Sequence, residues 1–205
     1  MIRPTLARER ALWSGGCRHV AGLDEVGRGP LAGPVVAAVV VLPPGQRPIR
    51  GLRDSKLLTA RARERLVGVI RRTALAWAVG AASVREIDRI NIRRATALAM
   101  RRALTRLPFA PDYILIDGNE LPELGAVHEA LVKGDAHCQS IAAASALAKQ
   151  TRDHLMELLA RRYPSFGWQE NKGYATADHL AALDRSGPTR HHRTSFIPVV
   201  QLKML

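Results

Sequence analysis

Short β-branched apolar runs alternate along the chain with longer segments of helical spacing. The first run, residues 18–24, ends at Asp24-Glu25 and predicts a strand. After a turn over Gly27–Gly33, the run Pro34–Leu42, closed by Pro43-Pro44, predicts a second strand joined to the first as a hairpin. Gly45–Ser55 reads as a Pro/Gly-rich loop, and Thr59 is placed to cap a helix over 60–72 with Ala62, Leu66, Val69 and Ile70 on one face. Ala74–Ser83 predicts a third strand, followed by a helical region over 84–106 that is broken near Asn91. Asp112–Asp117 predicts a strand stopped by Gly118-Asn119, and the short apolar run Ala126–Val132 ends at Lys133-Gly134-Asp135. A long helix is expected from Ser140 to Tyr163, carrying Ile141, Ala144, Ala148, Leu155, Leu158 and Leu159 and stopped by Pro164. A last helix spans 176–186 before Gly187-Pro188.

A hairpin followed by strands alternating with helices implies an α/β domain. Its core is a mixed sheet of about five strands flanked by helices, with a C-terminal helical part. Residues 18–205 read as one domain, and residues 1–17 as a charged N-terminal arm, loose or helical.

The carboxylates then show a pattern. Asp24, Asp117 and Asp135 each lie at or just past the end of an apolar run, at or near a glycine. If the three runs are parallel neighbours, the carboxylates meet at the edge where open α/β sheets bind ligands. Clustered carboxylates repel and raise one another's pKa unless a cation neutralises them, and an all-oxygen donor set suits Mg²⁺ or Mn²⁺. Such ions support phosphodiester hydrolysis. Glu25 poses a problem, because neighbouring strand residues point to opposite faces. Either the strand ends or bulges at this point, or Glu25 works through its carbonyl or a second ion. Gly27-Arg28-Gly29, next in the chain, combines a backbone that can approach a ligand closely with a phosphate-seeking guanidinium.

The charge supports that reading. The 205 residues carry 31 Lys and Arg against 18 Asp and Glu, a formal net charge of +13, which attracts polyanions such as nucleic acid. Hydrophobic residues make up 47%, enough for a folded core, yet no apolar run approaches the roughly 18 residues of a membrane span. The N-terminus lacks the apolar centre of a signal peptide, and two cysteines make no disulfide framework. A cytoplasmic monomer is the default expectation, with no membrane partner.

The stretch Gly22-Leu23-Asp24-Glu25-Val26-Gly27-Arg28-Gly29-Pro30-Leu31-Ala32-Gly33-Pro34 resembles the signature of the bacterial ribonuclease HII family. The resemblance continues in family order through Asp54-Ser55-Lys56, Leu115–Gly118, Lys133-Gly134-Asp135 and Ser140–Lys149 with Arg152-Asp153. It ends with Asn171-Lys172-Gly173-Tyr174 and His192–Phe196. It implies a ribonuclease H-like fold and a Mn²⁺- or Mg²⁺-dependent endonuclease. The implied substrates are RNA–DNA hybrids and duplex DNA containing single ribonucleotides, and the implied products a 5′-phosphate and a 3′-hydroxyl. The family's acidic quartet falls on Asp24, Glu25, Asp117 and Asp135. Gly27, Arg28 and Gly29 match the loop that reads the ribose 2′-hydroxyl, and Tyr174 the tyrosine that packs on the sugar at the junction.

A 2′-hydroxyl is the one group that separates RNA from DNA at a given sugar. Lys56, Lys172, Arg190 and Arg193 are candidates for phosphate contacts that position a duplex. Asp153 reads as a salt-bridge partner rather than a metal ligand, Ser140 and Ser145 as small packing residues, and His191 and His192 as loop or phosphate-side residues. Cys17-x-His19 and His137-Cys138 have poor spacing for zinc. Two other readings share the acidic cluster or the charge: a nucleic-acid-binding module without catalysis, and a junction-resolving or integrase-type nuclease with no use for a 2′-hydroxyl reader.

Overall fold

In a computed structural model, which describes residues 3–52 and 59–202, the expected hairpin is the centre of a five-stranded sheet. Strand β1 (Val20–Val26) pairs antiparallel with β2 (Val35–Val41) in unbroken register from Ala21–Val41 to Val26–Val36. Strand β3 (Ala76–Ala82) adds antiparallel to β2, while β4 (Tyr113–Asp117) adds parallel to β1 and β5 (Glu129–Leu131) parallel to β4. The order is β3-β2-β1-β4-β5. Every residue of β2 is buried, which is why its sequence is a continuous Val/Ala run rather than an alternating one.

Helices cover both faces. Odd-numbered residues of β1 and β2, such as Leu23, Ala37 and Val39, pack against α3 (Val84–Leu104) through Ala95, Ala99 and Met100. Even-numbered ones, such as Ala38 and Val40, pack against α2 (Ala60–Thr73) and α5 (Gln139–Arg162). The helix faces in contact are built from alanine, and this lets backbones come close. A Cβ placed on Gly22 would lie 2.4 Å from the Ser140 carbonyl carbon of α5, and one on Gly80 2.1 Å from Ala99 O of α3.

Helix starts follow local chemistry. The Thr59 hydroxyl accepts from Ala62 N–H, and Ser83 with Glu86 forms a reciprocal capping box. The break expected near Asn91 is present: Asn91 has φ 66° and ψ 166°, and its side-chain oxygen accepts from Arg94 N–H to restart the helix. The N-terminal arm contains α1 (Ala7–Ser14), seated against the sheet-covering layer by buried Leu6. Its Glu9 is fully buried and accepts from both the amide and the hydroxyl of Ser140, in the first turn of α5.

Beyond β5 the chain makes α4 (Gly134–His137), then α5, α6 (Trp168–Asn171), α7 (Ala177–Ser186) and α8 (Val199–Leu202). Met156, Phe166, Trp168, Leu183 and Val199 form a separate core that packs onto Leu31 and Ala32, in the loop after β1. No helix among the described residues is long and apolar enough to cross a membrane.

Gly22→Ala therefore pushes a methyl group into backbone that cannot rotate away. The expected loss of stability is about 3 kcal/mol or more, at or above the upper end for overpacking, read as a lower urea midpoint. Gly68→Ala, in α2 where only the flexible Arg72 guanidinium comes near, is the control and should leave the midpoint unchanged or higher.

Candidate active site

The parallel ladder between β1 and β4 ends at Leu23–Ile116. Asp24 and Glu25 follow on β1, and Asp117 is the last residue of β4. Strand β1 neither stops nor bulges at the carboxylates, so alternation holds: Asp24 faces α5 and Glu25 faces α3. Because the ladder has ended, both still reach a cavity of about 370 Å³ that Asp117, Asp135, Ser145, Lys149 and Tyr174 also line. Glu25 and Asp117 also border a second cavity of about 260 Å³ on the α3 side, with Arg28, Arg93 and Thr96. Asp135 arrives differently from the strand-end expectation. It sits in the single turn of α4, where its N–H points at Asp117 Oδ1 from 3.4 Å.

The electrostatics of this group are unfavourable as it stands. Burial, then the charges of Glu25 and Asp117, hold the Asp24 carboxyl well above the usual range, against the Ser145 hydroxyl and Glu25 N–H that bond it. Burial also raises Glu25, opposed by Arg28, whose guanidinium lies 3.3 Å from Oε1, while Asp117 adds to the rise. Carboxylates pushed towards neutrality by burial and mutual repulsion are stabilised as anions by a bound cation. Their oxygens fit a hard divalent ion. Among the described residues no three Asp, Glu, His or Cys side chains already surround a single point. The site thus suits an ion that takes one or two protein oxygens and completes its shell with water and phosphate, as Mg²⁺ does.

The Gly27–Gly33 loop borders this group and is held from inside by two arginines. Gly27 and Gly33 have φ of 94° and 84°, and a Cβ on Gly27 would lie 2.1 Å from Arg152 Nε. Arg152 donates to the carbonyls of Ala32, Pro34 and Lys172. Arg193 donates to the carbonyls of Gly27, Arg28 and Gly33. Both side chains are fully buried, and burial followed by the charge of Arg152 lowers Arg193 to about 9. Gly29 faces Tyr174: a Cβ there would be 3.8 Å from the Tyr174 ring, which is 44% exposed.

The expectation for Arg193 needs correcting. A fully buried guanidinium occupied by loop carbonyls cannot contact a phosphate; it is the strut that shapes Gly27-Arg28-Gly29. Lys172 is half committed, its ammonium bound to Glu157 at 2.8 Å and to the Gln169 carbonyl, so a phosphate has to compete for it. Lys56 lies outside the described residues. Ser145 is more than packing, since its hydroxyl bonds Asp24. His192 is buried against Trp168 and His179 rather than facing a phosphate. Asp153 pairs with Lys149 at 2.6 Å and Arg63 at 3.0 Å, an ion-pair role. Sequence reasoning missed Lys149 and Arg152 as site residues. The signals were their place in the matched blocks Ser140–Lys149 and Arg152-Asp153 and their helical spacing from Ser145, at i+4 and i+7, which places all three on one face.

Mixed-sheet topology with carboxylates gathered at the β1–β4 edge and a glycine loop beside them defines a nuclease of the ribonuclease H class. The solved ribonuclease H2 of Pyrococcus horikoshii OT3 superposes with a TM-score of 0.77 at 27% identity, covering 91% of this chain and 97% of that one. The family model for ribonuclease HII matches residues 21–199. The ribonuclease HII of Sphingopyxis alaskensis is 57% identical over 91% of this chain and 92% of its own. That of Thiobacillus denitrificans is 57% identical over 88% of each. The chain belongs to the ribonuclease HII family and is a ribonuclease H-type nuclease.

Arg193→Lys tests the strut. One ammonium cannot span the three carbonyls that the guanidinium fork satisfies, and each buried acceptor left unpaired costs on the order of 1–3 kcal/mol. The expected result is a protein several kcal/mol less stable by urea titration that cleaves far more slowly at subsaturating substrate; wild-type stability would show that the loop holds itself.

Proposed function

We propose that this nuclease hydrolyses the RNA strand of RNA–DNA hybrids and incises duplex DNA at single ribonucleotides, leaving a 5′-phosphate and a 3′-hydroxyl. It acts as a monomer. The observation that carries the reading is one cavity lined by four carboxylates and by Tyr174, whose ring stands beside Gly29 of the glycine loop. A metal-using site and a sugar-sized recognition edge are thereby joined.

Asp24, Glu25, Asp117 and Asp135 would hold Mn²⁺ or Mg²⁺. Such ions, when bound, lower the pKa of attacking water and offset charge at the phosphate. The chain's own residues do the rest. Backbone groups of Gly27-Arg28-Gly29 approach the ribose 2′-hydroxyl without side-chain bulk in the way, their geometry fixed by Arg152 and Arg193. The Tyr174 ring offers an apolar face to the sugar that follows. Lys149, aimed at the cavity and steadied by Asp153, supplies a fixed positive charge near the phosphate. Arg28 is exposed beyond its pairing with Glu25 and is placed to meet the backbone of the duplex. With the net charge of +13, affinity should fall steeply with salt.

The deciding assay is cleavage of a DNA duplex holding one ribonucleotide, with Mg²⁺, Mn²⁺ or EDTA. Cutting is expected 5′ or 3′ of the ribonucleotide only with a metal, and an all-DNA duplex should stay intact. Cleavage of all-DNA duplex at a similar rate would sink the ribose-reading role and favour a resolvase-like enzyme. In the same assay Asp117→Asn should lose nearly all activity while binding substrate as well as wild type or better, since one repelling charge is gone. Near-normal cutting at saturating metal would remove Asp117 from the site.

Tyr174→Ala is expected to slow single-turnover cleavage of the one-ribonucleotide duplex more than it weakens binding. Loss of a stacking contact is worth about 1–3 kcal/mol on a base and less on a sugar. A fall in rate of about 100-fold would mean that the ring also positions the scissile phosphate. Tyr174→Phe should recover most of the rate if the ring face matters, whereas matching rates for wild type and Ala would end the assignment.

A further inference from the structure

Behind the recognition edge lies a polar cluster that hydrolysis itself does not use. Trp168 and His179 are fully buried and His192 is 1% exposed, packed with the Phe166 ring. The proton positions follow from the partners. Indole N–H can only donate, and Trp168 Nε1 lies 3.0 Å from His179 Nε2, so that nitrogen accepts and the proton is on Nδ1. His179 Nδ1–H then donates to the Tyr174 carbonyl at 2.8 Å. From the other end, the Thr189 amide can only donate, and it lies 2.9 Å from His192 Nδ1. His192 therefore carries its proton on Nε2 and gives it to the same His179 Nε2, 3.0 Å away. The two ends agree, and one lone pair is shared by two donors. Burial lowers both histidines, His192 to about 4, so both rings stay neutral at physiological pH.

The cluster is fastened to the two halves of the recognition edge. Tyr174 belongs to no helix or strand; its N–H donates to Asn171 O, and its carbonyl accepts from Thr176 N–H and from His179. The glycine loop is tied to the same place. His192 bridges to Ala32, Arg193 N–H donates to Leu31 O, and Leu31 N–H donates to Gly173 O, one residue before Tyr174. The His179 Nδ1–H bond thus holds the Tyr174 backbone beside a segment that is itself tied to the glycine loop. A side chain mounted on irregular backbone is only as fixed as the bonds that hold that backbone.

We propose that His179 is a positioning residue for the nuclease reaction: through its Nδ1–H it fixes Tyr174 against the glycine loop, and so determines how well a sugar at a ribonucleotide junction is seated. The inference rests on the reading of Tyr174 given above and adds the group that makes that residue effective.

Two isosteric changes separate positioning from packing. An asparagine amide nitrogen stands where Nδ1 stands, and a glutamine amide where Nε2 stands. His179→Asn keeps the bond to Tyr174 and cuts those to Trp168 and His192; His179→Gln does the reverse. Single-turnover cleavage of a one-ribonucleotide duplex, its dissociation constant and melting temperature are measured for both. Fluorine spectra of 3-fluorotyrosine protein accompany them; the chain has three tyrosines, and Tyr174→Phe assigns the signal.

The Gln protein is expected to cleave about tenfold or more slowly with little change in binding, as misplacement of a reacting group predicts, and to shift the Tyr174 signal. The Asn protein should stay near wild type in both, even if it melts lower. In the Tyr174→Ala background the Gln change should cost nothing further. Trp168→Phe, which spares the Tyr174 bond, should lower the melting temperature and leave rate and signal alone. It keeps the test open should the Gln protein fail to fold, because a slowed Trp168→Phe enzyme with a displaced signal counts against the proposal. Equal losses for Asn and Gln, or a Gln loss that survives without the Tyr174 ring, overturn it. If Tyr174→Ala itself cleaves normally, the junction reading falls, and the fluorine signal alone decides whether His179 sets the ring.

Discussion

Helix α5 meets β1 backbone to backbone at Gly22, and the site is measured out along the helix from that contact. Ser145, Lys149, Arg152 and Met156 follow at steps of four, three and four residues, which keeps them on one face. Three of them meet successively later points of the chain that β1 feeds: Ser145 reaches Asp24, Arg152 crosses Gly27, and Met156 Sδ fills the place a Cβ would take on Gly33. With about 1.5 Å of rise per residue, the face runs the length of strand and loop together. Glu9 fixes where this ruler starts, setting a carboxylate against the positive end of α5 and bonding Ser140 twice. A shift of the helix would move carboxylate support and loop support at once.

Asp153 pairs with Arg63 and Lys149, but two other buried arginines beside the site are kept apart from its carboxylates. Arg152 and Arg193 are enclosed without a carboxylate in hydrogen-bond contact among the described residues, their guanidinium groups satisfied by six backbone carbonyls. Asp24 is enclosed nearby with its carboxyl raised by burial and by other acids. Neutralising one group with the other would relieve both and would take the Asp24 charge out of the carboxylate group that lines the cavity. The carbonyl cage solves the problem for the arginines, because dipoles stabilise a guanidinium and also pin the chain that carries them. Their positive field stays behind the loop, on the side away from solvent, where it favours an approaching phosphate.

The strands and helices were legible because their signals are local. The β2 run, the Thr59 cap and the Asn91 break follow from residue types within a few positions of each other. Asp24, Asp117 and Asp135 stood out for the same reason, each lying near a glycine at or past the end of an apolar run, whereas Glu25 joined them only through the family resemblance. Arg193 was misread because a charged residue in a polar segment carries no mark of burial; only the return of residues 189–196 across Leu31–Gly33 encloses it. His192 lies in a loop, as one of its two readings had it, but its burial was not legible, because His179 and Ala32 reach it from distant parts of the chain. Lys149 and Ser145 were hidden in a helix whose alanines all read as packing.

The Glu25 difficulty resolves through the sheet edge rather than through the strand. Alternation sends Asp24 towards α5 and Glu25 towards α3, and in the middle of a sheet they would never share a ligand. Here β4 stops its pairing one residue earlier, at Leu23–Ile116, and Asp117 at its tip borders the cavities on both faces. Asp24 and Glu25 therefore straddle the end of the β1–β4 seam with Asp117 between them, and Arg28 meets Glu25 from the α3 side. An in-line reaction needs charge control on both sides of a phosphorus, at the entering and the leaving oxygen. Adjacent residues on an unbroken strand, which point in opposite directions, place carboxylates on both sides of the seam without any distortion of the backbone.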